Sequence, residues 1–223
     1  MELITKFKKI NLYLKKIGAY EVMSLLLTLI FSIYNLYLGI FHEIVWNYGV
    51  SFYYFLSLVI KLISTIALFK SKKKNKEYPK SIFVFSSLLL ILTSLSMITP
   101  AILMIYNLRE VDVDYVPSII IACFVTVRVI LLVAQYKNSK NNNSLYDQEK
   151  LTLNTVSTIF SVLTLQNTLI AVNGGADIEM TILSEISTFV LLFFVFVITI
   201  ISLFKGLKKA KAKPENTFNC EES

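Results

Sequence analysis

The stretch SFYYFLSLVIKLISTIALFK, Ser51–Lys70, decides how this chain is read. It is apolar and long enough to cross a bilayer, since a spanning helix needs about 20 mostly apolar residues to traverse about 30 Å of hydrocarbon. It ends in a cationic run (Lys70, Lys72, Lys73, Lys74, Lys76) and carries a lysine, Lys61, near its middle. The pattern returns twice. Arg128 stands midway along an apolar run that Lys137 closes, 67 residues after Lys70, and Lys205 closes a further run 68 residues later.

Working outward, six such runs lie at about 19–41, 51–69, 82–106, 116–136, 151–172 and 182–204. Backbone amides in lipid must be bonded within their own segment, so the runs predict helices. The fold expected is an all-α polytopic membrane protein. Residues 1–17 are amphipathic: Leu3, Phe7, Ile10, Leu14 and Ile17 share a helical face and the lysines lie mostly off it, as in a helix on the membrane surface. Residues 18–213 form the six-helix domain, and 214–223 read as a disordered tail.

Composition agrees. The 223 residues are 55% hydrophobic and 17% charged, with mean hydropathy +0.65; soluble domains carry about 25% charged residues. The net charge of +7 does not point to nucleic acid, because the lysines sit beside apolar runs rather than in a compact basic domain. Of 22 lysines and arginines, 19 fall in the N-terminal segment, the second-to-third and fourth-to-fifth connections and the tail. The alternate connections hold only Arg109 among acidic residues such as Glu43, Glu110 and Asp177. The positive-inside rule then places both termini in the cytoplasm, which requires an even number of spans. Short outer connections predict three hairpins. The spacing of Lys70, Lys137 and Lys205 leaves a threefold internal repeat open.

Lys61 and Arg128 are the leading candidates for function. Each lies nine residues from a boundary lysine, about 13 Å deep along a helix. A cation at mid-span costs at least about 2.5–3.5 kcal/mol, so it either faces an interior partner or cavity or snorkels to the interface. Tyr54, Ser57, Ser64 and Thr65 share the face of Lys61 and favour its burial; Arg128 has only apolar neighbours at helical spacing. Ser24, Thr28, Ser32, Asn35 and Gly39 make a polar stripe on the first helix, and Asn154, Ser157, Ser161, Thr164 and Thr168 make one on the fifth. Close helix packing is the first reading of both and a polar conduit the second. Gln166 and Asn167 bring two amides to membrane depth, where each needs a partner. Glu21 is expected at the headgroups, with Lys61 as its alternative partner, and Glu185 at the outer interface. Pro100 should kink the third helix. Trp46, Tyr48, Tyr53 and Tyr106 fit an outer aromatic belt, and the segment 137–150 reads as a polar, mobile loop without chemistry.

Other classes find little support. Cys123 lies in an apolar run and Cys220 in the tail, so a disulfide is not expected. His42 is the only histidine, which argues against zinc or haem. No HExxH, GxSxG or phosphate-binding glycine loop occurs, so no enzymatic activity and no cofactor is expected.

FYYFLSLVIK (Phe52–Lys61), ACFVTVR (Ala122–Arg128) and FSVLTLQNTLI (Phe160–Ile170) resemble segments of an uncharacterised family of small six-helix membrane proteins of Firmicutes. Lys61 stands where that family would show arginine, and Gln166-Asn167 where it would show glutamine-threonine. The resemblance implies six helices in a bacterial cytoplasmic membrane and brings no activity. Two functions are carried forward. One is a transporter or channel for a small anionic or zwitterionic solute, its cavity lined by Lys61, Arg128, Gln166, Asn35 and Asn167. The other is a non-enzymatic scaffold or accessory subunit that binds anionic lipid headgroups, a cytosolic partner, another membrane protein or a second copy of itself.

Overall fold

The computed structural model describes residues 19–73, 77–106, 115–139, 144–172 and 178–211. The amphipathic segment 1–17 and the tail 214–223 lie outside the described residues. Seven helices account for nearly all of what is described, with no strand among the described residues: α1 (Ala19–His42), α2 (Val45–Lys73), α3 (Lys80–Ser96), α4 (Ile98–Tyr106), α5 (Tyr115–Ser139), α6 (Leu145–Val172) and α7 (Ile178–Lys211). α3 and α4 are one apolar run broken at Met97. Pro100 explains the break, because its ring excludes the carbonyl four residues back and it has no N–H to give.

Five segments are long and apolar enough to cross a membrane: Glu21–His42, Val45–Ser71, Lys80–Leu103, Val116–Lys137 and Ile182–Lys208. The fifth run in chain order, within α6, is the exception. Its serines, threonines and asparagine lower its hydropathy, yet it is the most enclosed helix, packing on α2, α3, α5 and α7. A span that meets protein on most sides need not be apolar on them. Toward the outside the bundle presents Leu26, Ile30, Ile33, Ile119, Ile130, Ile186 and Phe193. Toward the inside it turns Thr28, Ser32, Ser57, Ser157, Ser161 and Thr164 among apolar side chains such as Phe31, Ile60 and Phe160.

The helices extend beyond the expected boundaries. α2 begins six residues early and α6 takes in residues 145–150, so much of the expected loop 137–150 is helical. Ser144 caps α6: its Oγ accepts from the Asp147 N–H at 3.1 Å and donates to the Asp147 carboxylate at 2.6 Å. α1 packs on α2 and α6 on the long α7. α3 packs on α7 and α5 on α6, and neither α3 nor α4 packs extensively on α5 among the described residues. A short connection fixes only that two spans run in opposite directions; side-chain fit decides which helices touch.

Two aromatic residues assigned to a membrane belt are in the core. Trp46 is fully buried and donates Nε1–H to Thr164 Oγ1 at 3.4 Å, and Tyr53 is buried with its hydroxyl 3.1 Å from Ser157 Oγ. Tyr48 is exposed, as expected; the Tyr106 side chain lies outside the described residues. Glu185, expected at the interface, is buried in α7.

Contact between α3 and α7 depends on Gly206, where a Cβ would overlap the buried ring of Phe83. Gly206→Ala is therefore expected to destabilise the protein by about 1–3 kcal/mol, the usual cost of overpacking. The double variant Gly206→Ala/Phe83→Leu should recover part of that loss in thermal unfolding in detergent. Wild-type stability in the single variant would contradict the contact.

Candidate functional site

α1, α2 and α5 bring Lys61 and Arg128 together. Lys61 Nζ donates to Thr28 Oγ1 at 3.0 Å and to Ser24 Oγ at 3.1 Å. Arg128 Nη2 donates to the same Thr28 oxygen at 3.0 Å. The two charged nitrogens therefore lie no more than about 6 Å apart. Neither snorkels, since Lys61 is 8% exposed and Arg128 5%. No described carboxylate forms a salt bridge with either. Arg128 lies over the rings of Tyr54 and Phe124, 4.9 and 5.1 Å from their centroids, and Phe124 stacks on Phe31 of α1. Aromatic faces attract a desolvated guanidinium by up to about 2 kcal/mol. The Arg128 Nε hydrogen is buried and finds no partner.

The stripe predicted beside Lys61 is the floor of this site. Tyr54, Ser57, Ser64 and Thr65 are all buried. Tyr54 donates to the Ser157 carbonyl and lies 2.6 Å from Ser161 Oγ on α6, which fixes the ring that Arg128 covers. On the other side, Ser24 donates to Asn154 Oδ1 at 3.4 Å, and Asn154 donates to Gln135 of α5.

Two clefts meet at that Ser24–Asn154 pair. The larger, about 30 Å³, is bordered by Lys61, Ser64, Thr65, Tyr146, Glu21 and Lys150; the smaller, about 10 Å³, by Arg128, Leu131, Leu132 and Thr158. This is room for a water molecule or a small ion in each. Lys150 Nζ and Tyr146 Oη both reach Glu21 Oε1, at 2.9 and 3.0 Å, across the larger cleft. Glu21 thus pairs with Lys150, in place of the headgroups or Lys61.

The three amides lie elsewhere. Asn35 is seven residues beyond Thr28 on α1, donating to the Phe31 carbonyl at 2.8 Å while its Oδ1 finds no partner. Gln166 donates to the Ser184 carbonyl, to Ser184 Oγ at 2.9 Å and to Ser187 Oγ, and Asn167 accepts from Ser184 Oγ at 3.5 Å. These bonds fasten α6 to α7 away from the cations. Sequence reasoning missed Asn154, Gln135, Tyr146 and Lys150 as parts of the site. The polar stripe already named Asn154; the other three are recognisable only once the ends of α5 and α6 are placed.

No protein-family model, curated protein or solved structure matches the chain.

Thr28 is the shared acceptor of both cations. Thr28→Val keeps its shape and removes that oxygen, and hydrogen bonds to charged groups are worth about 1.5–3 kcal/mol. The variant should lose about that much stability in detergent, more than Asn35→Ala does. Equal losses in the two variants would contradict the assigned geometry.

Proposed function

We propose that this chain is a transporter or channel-like protein of the bacterial cytoplasmic membrane that takes a small anionic or zwitterionic solute between Lys61 and Arg128, entering from the cytoplasmic side. The observation that carries this reading is the pair of buried basic side chains on one hydroxyl, neither in a salt bridge with a described carboxylate. With both groups charged they repel, more strongly in a low-dielectric interior than in water. An anion between them would relieve that repulsion and give the Arg128 Nε hydrogen an acceptor. Small clefts favour a monatomic ion or compact oxyanion; a larger solute would need the helices to part. Entry from the cytoplasm follows from the lysine distribution, which assigns the end of the bundle bearing Glu21, Lys150 and Lys205 to that side.

A ligand that binds only the folded state adds about 2.7 kcal/mol of stability at 100 times its Kd. Chloride, nitrate, sulfate, phosphate, acetate and amino acids, tested by thermal unfolding in detergent at constant ionic strength, should include at least one that raises the melting temperature. That rise is expected to vanish in Lys61→Ala and Arg128→Ala and to persist in Gln166→Leu, whose lost bonds lie between α6 and α7. If no solute stabilises the wild type, the transport reading fails and the scaffold reading replaces it. Persistence of the shift in both cation variants would move the site elsewhere.

A further inference from the structure

Glu149 lies on the first turns of α6, before the apolar run that begins at Leu151, and is only 2% exposed. Three other segments supply hydroxyls to its carboxyl group. Ser64 of α2 donates to Oε1, Tyr78 of the α2–α3 connection donates to Oε2 at 2.7 Å, and Ser86 of α3 also bonds to it. No described cation forms a salt bridge with it. Tyr78 is the ionisable side chain bonded to it; Tyr146, whose ring meets that of Tyr78, and Lys150 both bond to Glu21, and Lys61 lies one turn from Ser64 on α2. Lys80 of α3 and Lys205 of α7 are exposed. Ser64 also borders the cleft that holds Lys61, so the residue whose hydroxyl bonds the buried carboxyl also lines the space beside the cation.

We propose that Glu149 is a proton-binding site, holding a carboxylic acid at neutral pH that exchanges its proton with the Lys61 cleft through Ser64. A carboxylate removed from water with hydroxyls but no cation is costly, whereas the neutral acid keeps the same contacts at much lower cost. Burial accordingly pushes this group above the usual carboxylate range, against the opposing pull of its three hydroxyl donors. In the acid form the Glu149 O–H donates to Ser64 Oγ, and the Ser64 hydrogen turns toward the cleft. Release passes the Ser64 hydrogen to a cleft water as the Glu149 hydrogen moves onto Ser64 Oγ, and uptake reverses both steps. No electrons are transferred and no bond other than O–H changes. The proposal stands apart from the anion reading, since a proton site exists whether or not a solute binds; if both hold, an anion near Lys61 favours proton uptake.

Infrared difference spectroscopy of the full-length protein in lipid tests this directly. At pH 7 the wild type should show the carbonyl-stretch band of a buried protonated carboxylic acid, which shifts in D2O and fades as pH rises. Glu149→Gln should remove it, and Glu185→Gln, which changes the other buried carboxyl, should not. Should Glu149→Gln fail to fold, Ser64→Ala and Tyr78→Phe keep the carboxyl and remove one bond each, so the band must move to higher frequency. No such band in the wild type, a band that follows Glu185, or one that Ser64→Ala and Tyr78→Phe leave in place would overturn the proposal.

Discussion

A chain that meets hydrocarbon on its outside must satisfy its polar side chains on its inside. This constraint orders the whole bundle. α6 is its clearest product: less apolar than the five other runs, it packs on α2, α3, α5 and α7 and shares hydrogen bonds with Trp46, Tyr53 and Tyr54 of α2 and with Ser24 of α1. Gln166 and Asn167 then fasten its far end to α7. Each such bond in a membrane interior is worth only about 0.6–2 kcal/mol. Their number and direction fix which face of each helix turns inward.

Within that arrangement the charges are distributed unevenly. Glu21 and Lys150 pair at the end of the bundle, partly exposed, at little cost. Lys61 and Arg128 are deeper and have hydroxyls and rings in place of counter-charges. Glu149 is buried with hydroxyls alone. A structure built only for stability would gain by bringing the carboxyl to the cations or by replacing all three with apolar residues. The carboxyl is held by Ser64 and the two basic groups by Thr28, with no salt bridge between them, and this separation is the feature that the proposed occupancy by an anion and a proton would explain.

The spans were legible in the sequence because a run of about 20 apolar residues has few other uses. The burial of Lys61 was legible too, since Tyr54, Ser57, Ser64 and Thr65 repeat at helical spacing on its side. Arg128 was not, because its partners Thr28 and Tyr54 stand 100 and 74 positions away on other helices. Trp46 and Tyr53 looked like belt residues because buried and interfacial aromatics share composition and differ only in whether a partner such as Thr164 or Ser157 lies within reach. Glu149 was hidden by a boundary: the segment 144–150 reads as loop by polarity, although Ser144 and Asp147 carry the spacing of a helix cap. The pairing of α3 with α7 rests on a glycine meeting a phenylalanine 123 positions away, a fit that no local pattern announces.

The central claim is that Lys61 and Arg128 form an electropositive cleft open to water from the cytoplasm. Ser24, which separates its two halves, can be changed to cysteine in a Cys123→Ser/Cys220→Ser background. Thiol labelling in sealed vesicles of known orientation would then compare an anionic with a cationic membrane-impermeant reagent. The account predicts reaction from the cytoplasmic side only, faster with the anionic reagent, with that preference lost in Lys61→Ala. An unreactive Ser24→Cys, reaction from the outer side, or equal rates with both reagents would contradict it.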